Sequence, residues 1–170
     1  MPSESARASS AAESRFRIAD ANSRPRAVKV VALDGPSEAV VRQLAQESWN
    51  GASFLTASTF SAEPQVSGQF SMQAWLSDLS GLTRQLLEEI DGADQVVMIA
   101  SAGEGVPAAA IIGEACSLKR VATIALIVRA PSATDQALAR TLALLRPWAL
   151  MLVVASSEAY IADMLGALRA

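Results

Sequence analysis

The 170-residue chain predicts an α/β fold: a three-layer, doubly wound (Rossmann-like) parallel sheet of about five strands, with helices on both faces. Three observations lead there. Short apolar runs alternate with segments of helical periodicity five times over residues 27–170. The runs at 121–128 and 149–155 are almost continuously apolar and at most eight residues long, as in strands buried on both faces of a parallel sheet. Hydrophobic residues make up 51% of a chain long enough to bury one core of ordinary size.

Residues 1–26 stand apart. They are rich in Ser, Ala and Arg, with five Arg against three acids, and Phe16 and Ile18 are their only large apolar residues besides Met1. That is too little apolar surface to offset the entropy of ordering, so a disordered tail is expected over 1–26 and a single domain over 27–170. No apolar stretch of the secretory type follows the basic residues, so a cytoplasmic location is expected. No run approaches the roughly 18 apolar residues of a membrane span.

The first strand is placed at 27–33 and is followed by a helix over 37–48, started by Pro36 or Ser37, with Val40, Val41 and Leu44 on one face. A second strand at 52–57 leads into the one long irregular connection, 59–71. A helix is expected over 72–90, because Trp75, Leu76, Leu79, Leu82, Leu86 and Ile90 recur at spacings of three and four. The third strand lies at 95–100, with a helix over 107–118, and the fourth at 121–128, with a helix over 134–145 capped by Ser132 or Thr134. The last strand at 149–155 precedes a helix over 157–168 capped by Ser156 or Ser157. Trp49, Trp75 and Trp148 fall at element ends and read as core or interface anchors. The apolar positions of 135–145 nearly encircle that helix, which makes it either a contact face or a crossover buried on several sides.

Composition removes whole classes of chemistry. With no His there is no Ser-His-Asp or Cys-His nucleophile pair and no imidazole base or metal ligand. A single Cys excludes internal disulfides, Cys-rich zinc sites and Cys-ligated clusters. Cys116 lies on an apolar helix face and reads as a small buried hydrophobe. The net charge is −3, and residues 27–170 alone carry nine basic and fourteen acidic residues, so no nucleic-acid partner is expected.

Ligands of open α/β sheets bind beyond the carboxyl ends of the strands. Here those ends include Asp34-Gly35-Pro36-Ser37, Ser58-Thr59, Ser101-Ala102-Gly103-Glu104-Gly105 and Arg129-Ala130-Pro131-Ser132. The candidate binding residues are Gly35, Ser37, Ser101, Gly103, Glu104 and Gly105, where backbone can approach a phosphate-bearing small molecule at a helix start. The same Gly and Ser residues also serve tight turns and caps without any ligand. Asp34 suits a hydroxyl, a metal or the helix start, Glu104 a sugar hydroxyl or a base role, and Arg129 a phosphate. No catalytic or metal-ligating residue is assigned.

Read in order, AVKVVALDGPSEAVVRQL, GASFLTASTFSAEP, the segment from Leu82 to Val128 and WALMLVVASSEAYI resemble the nucleotide-binding domain of the tubulin-like division GTPases of bacteria (the FtsZ family). The resemblance implies GTP as a ligand, with the 101–105 turn in the place of the family's long Gly/Thr loop. This sequence departs from the family there, with only Ala102-Gly103-Glu104-Gly105 and no Thr, and again at Ala57-Ser58-Thr59, which lacks the family's acid. Its first Gly cluster is reduced to Gly35, and the sequence stops before the acidic loop that activates water on a neighbouring subunit's nucleotide. Residues 99–105 (IASAGEG) are also similar to the phosphosugar-binding loop of sugar-isomerase (SIS) domains, with Ala100 and Gly105 in place of hydroxyl residues. A receiver-like domain of flavodoxin topology would need paired acids after the first strand and an acid after the third, where this chain has Asp34 alone and Ser101.

Both resemblances lapse at the residues that carry chemistry. The expected function is therefore a non-catalytic, tubulin-like domain acting as a regulatory, scaffold or assembly protein through a protein partner or a homo-oligomer. The alternative is a nucleotide- or phosphosugar-binding domain or enzyme built on the 34–37 and 101–105 loops.

Overall fold

The computed structural model describes residues 25–58, 75–129 and 132–170. The expected tail, except Pro25 and Arg26, and the connection 59–71 lie outside the described residues. In chain order the elements are β1 (Val28–Ala32), α1 (Gly35–Leu44), β2 (Ala52–Thr56), β3 (Trp75–Asp78), β4 (Thr83–Gln85), α2 (Leu86–Asp91), β5 (Gln95–Ser101), α3 (Ala108–Lys119), β6 (Ala122–Val128), α4 (Asp135–Leu145), a 3-10 turn (Arg146–Trp148), β7 (Met151–Val154) and α5 (Glu158–Ala167). One seven-stranded sheet runs β4-β3-β2-β1-β5-β6-β7.

The five strands read from apolar runs form a continuous parallel block, with Val30 of β1 paired to Phe54 of β2 on one side and Val97 of β5 on the other. Counted over these strands alone the order is 2-1-3-4-5, a common doubly wound order whose switch point falls between β1 and β5. Alternate strand residues feed two cores. Val30, Ala32, Val97, Ile99 and Leu126 pack under α1 and α5, while Val31, Leu33, Met98, Ala100 and Ile127 pack under α2, α3 and α4. Helices therefore cover both faces, and no helix among the described residues is long and apolar enough to cross a membrane.

The sheet is mixed rather than parallel, with seven strands rather than about five, because of what replaces the helix expected over 72–90. Trp75–Asp78 and Thr83–Gln85 form an antiparallel hairpin on the β2 edge, and only Leu86–Asp91 is helical. The turn explains the change. The Asp78 carboxylate accepts from the Ser80 and Leu82 amides (3.0 and 2.9 Å) and from the Ser80 hydroxyl (2.6 Å), and Gly81 takes φ +90°. Such a side-chain-to-backbone turn competes directly with helix. Leu76 and Leu79, which a helix would put on one stripe, join opposite cores. Leu82 is exposed.

The run 149–155 also differs from expectation. Among the described residues β7 pairs only with β6 and is an edge strand, and Leu150 beside it is 83% exposed. The helix expected over 37–48 starts at Gly35 and ends at Leu44. The two C-terminal helices carry expected caps: Thr134 accepts from the Ala137 amide (3.2 Å) and Ser157 from the Tyr160 amide (3.4 Å). α4 fully buries only Thr141 and Leu145, so it lies on the sheet by one face.

Two tryptophans anchor packing. The Trp49 indole N–H donates to the Leu44 carbonyl (2.7 Å) at the end of α1, and the Trp49 ring lies 6.2 Å from that of Phe54. Trp148 packs so closely on Gly113 of α3 that a Cβ there would stand 2.5 Å from the Trp148 Cβ. Gly113→Ala must push the helix from the Trp, and should lower stability by about 1 to 3 kcal/mol despite the better helix propensity of Ala, as read by urea denaturation.

Candidate functional site

The carboxyl ends of β1 and β5 meet at the switch point, and the residues there bind one another. Asp34, at the end of β1, is 6% exposed and caps α1: its Oδ1 accepts from the Ser37 amide (2.7 Å). Ser37 returns the bond, its Oγ accepting from the Asp34 amide (3.2 Å) and donating to the Asp34 carbonyl (3.0 Å). The other carboxylate oxygen, Oδ2, accepts from the Ser101 amide at the end of β5 (2.7 Å). One buried carboxylate thus joins the start of α1 to the neighbouring strand across the switch point. Its charge is compensated by amide donors and the helix N-terminus.

The Gly-containing turn is likewise engaged from within. After Ser101, the Ala102 amide donates to the Val128 carbonyl (3.1 Å), the Gly103 amide to the Thr141 hydroxyl on α4 (2.9 Å), and the Glu104 amide to the Ser101 carbonyl (3.2 Å). Thr141 is fully buried and passes its own proton to the Ala137 carbonyl (3.3 Å). Gly103 sits at φ +94° with its Cα facing Ala137, where an added Cβ would meet the Ala137 Cβ at 3.3 Å. Four successive amides that a phosphate loop would present to an anion are therefore committed internally. The Gly35 and Gly105 amides stand outside this set, and both glycines are exposed, as is Glu104. The structure thus brings Ser37 and Ser101 together around Asp34, while Gly35 and Glu104–Gly105 lie at the rim.

One group at this junction is unmatched. Ser101 is 2% exposed, and its Oγ has no hydrogen-bond partner. A buried hydroxyl without a partner costs free energy unless a water or ligand atom reaches it.

A second polar cluster, not singled out in the sequence, lies beside the first. Glu38, in the first turn of α1, takes hydrogen bonds on Oε2 from the Ser58 hydroxyl and from Thr56 Oγ1 (3.0 Å), and on Oε1 from Arg42 Nε (2.9 Å) and Nη2 (2.6 Å). Arg42 Nη1 reaches on to the Leu79 carbonyl (2.8 Å), tying α1 to the hairpin turn. The Ser58 hydroxyl above all, then Arg42 and Thr56, hold Glu38 below its ordinary value of 4.5, against the opposing effect of burial. The hydroxyls of Thr56, the last residue of β2, and of Ser58 two residues on were the available signal.

Of the other candidates, Arg129 is exposed at φ 58° at the end of β6, and residues 130–131 lie outside the described residues. Cys116 is buried, and desolvation pushes its thiol up to about 12, so it is an inert core residue. Among the described residues no three His, Cys, Asp or Glu side chains gather as a metal site. Asp34 accepts one amide on each oxygen and Glu38 two donors on each of its oxygens, so both carboxylates serve to hold neighbouring elements together. Compared with protein-family models and with curated proteins, the chain matches none, so neither the tubulin-like nor the sugar-isomerase resemblance gains support there.

Asp34→Ala removes a helix cap and strands a buried amide, and should cost about 2 to 4 kcal/mol in denaturant unfolding. Glu38 makes its own pH signature. Its folded pKa is depressed, so its contribution is present above the ordinary value of 4.5 and disappears as pH falls through the lower folded value. The stability gap between the native protein and Glu38→Gln should therefore be widest above pH 4.5 and close as the pH drops below it, in denaturation followed across pH.

Proposed function

We propose that the chain is a non-catalytic α/β domain that works through protein–protein contacts, as a regulatory, scaffold or assembly protein. The observation that carries this reading is the internal use of the switch point: both Asp34 oxygens and the amides of residues 101–104 are bonded within the fold. A ligand held by the amides of residues 101–104 would have to displace those bonds, and each costs free energy to leave unmade. On this reading any tubulin-like or sugar-isomerase ancestry survives only in the sheet and in the outline of the 101–105 turn.

One observation favours a second reading. The partnerless Oγ of buried Ser101, at the end of β5 where the 101–105 turn begins, is a polar group that a hydroxyl- or phosphate-bearing small molecule such as a nucleotide or phosphosugar would satisfy.

Melting in the presence of GTP, GDP, ATP, NAD and sugar phosphates separates the two. A ligand at a hundredfold excess over its Kd stabilises by about 2.7 kcal/mol, or roughly 5 to 10 °C for a chain of this size. No shift with any of them is expected. A shift that Gly105→Asp abolishes would overturn the non-catalytic reading. Position 105 suits this test because a Cβ there meets nothing within 4 Å, whereas substitution at Gly103 would perturb the fold itself.

A further inference from the structure

The two edges of the sheet are built differently. The β4 edge is three residues long and carries Arg84, which pairs with Asp78 (3.4 Å). A short edge with a charge on it resists pairing with another strand. The β7 edge, at four residues, is also short but lacks the charge. From Pro147 to Ser157 the chain holds no charged residue, and Met151–Val154 is wholly apolar. Of the seven large hydrophobics exposed among the described residues, three fall in this stretch, Leu150, Met151 and Val154, and two more, Leu144 on α4 and Tyr160 on α5, lie within three residues of its ends. An apolar, unguarded edge strand with neighbouring apolar surface marks a pairing site.

Charge decides what fits there. The uncharged stretch is bounded by Arg146 before β7 and Glu158 after it, both exposed. Two copies paired antiparallel, Met151 opposite Val154 and Leu152 opposite Val153 of the second copy, bring the Arg146 end of each strand beside the Glu158 end of the other. A parallel pairing would set Arg146 beside Arg146 and Glu158 beside Glu158, with repulsion at both ends. The antiparallel arrangement has two-fold symmetry, so one patch serves both partners. Heads and tails match.

We propose that the protein is a homodimer in which β7 pairs antiparallel with β7 of a second copy, joining two seven-stranded sheets into one. This deepens, and rests on, the reading of the chain as a protein-contact domain, by naming a second copy as partner. The interface continues both apolar cores: Leu152 packs with the α2–α3–α4 side and Val153 with the α1–α5 side.

Sedimentation equilibrium on the full chain tests it, with circular dichroism to verify folding. The native protein is expected at twice the chain mass. Val154→Lys and, at the more exposed neighbouring position, Leu150→Lys should each shift it to the monomer, while Leu82→Lys on the opposite edge should leave the dimer intact. Arg146→Glu should weaken the dimer, and adding Glu158→Arg should restore it. A native protein that sediments as a monomer, a dimer that survives both edge lysines, or a dimer lost on Leu82→Lys alone would overturn the proposal. A monomer that melts without ligand shifts would overturn this interface and spare the protein-contact reading. A ligand-induced shift in a protein that still dimerises through β7 would do the reverse.

Discussion

The carboxylate of Asp34 ties the start of α1 to the end of β5 at the point where the sheet changes direction. Its two oxygens face in different directions, one to the first turn of α1 and the other to the last amide of β5. A neutral side chain could cap the helix, but only a group with two strong acceptors can do so while also closing the gap between adjacent strand ends. The linkage continues beyond Asp34. Ser101 begins the turn whose Gly103 amide reaches Thr141, on a helix that covers the opposite face of the sheet from α1. A run of short hydrogen bonds thereby ties both helical layers to the top of the sheet.

That closure has a chemical consequence. Anion sites at strand ends work because successive amides point outward without partners, so a phosphate replaces water rather than protein. Here the partners are side chains and carbonyls of the same chain, and the left-handed conformation of Gly103 serves to press the turn against Ala137. The Glu38 cluster follows the same logic. Its carboxylate gathers two hydroxyls from the end of β2 and a guanidinium from its own helix, and the guanidinium goes on to fasten the hairpin turn. Groups that would make chemistry in an open crevice are spent on positioning elements. The buried Ser101 hydroxyl is the exception, and it sits where the linkage changes direction.

Much of this fold was legible in the residues, and the failures share a cause. Runs such as VATIALIV are too short for helices and too apolar for exposed strands, so β1, β5 and β6 follow from local pattern, as do the helices that separate them. The hairpin does not, because Trp75, Leu76, Leu79 and Leu82 satisfy a helical spacing by coincidence. The contrary signal was Asp78-Leu79-Ser80-Gly81, whose turn chemistry outweighs the spacing once the carboxylate collects three local donors. Sheet order is a different kind of information. Nothing in ALMLVVA separates a central strand from an edge strand, since that depends on what lies beyond it. Within the site, Gly35, Ser37 and the 101–105 turn were readable as special backbone. Thr141 was not, for its role arises only from the docking of α4 against a loop almost forty residues earlier.

An uncharged strand is expensive to leave at an edge, because its outer backbone stays unpaired and, here, Met151 and Val154 stay exposed to water. The opposite edge, closed by a short hairpin bearing Arg84, demonstrates that this chain can guard a boundary when it is built to be one. The contrast shifts attention from the loops, where α/β domains usually carry function, to the flank of the sheet. The strand between Arg146 and Glu158 carries backbone donors and acceptors, apolar area and a directional pair of charges together, the features on which strand-to-strand pairing draws.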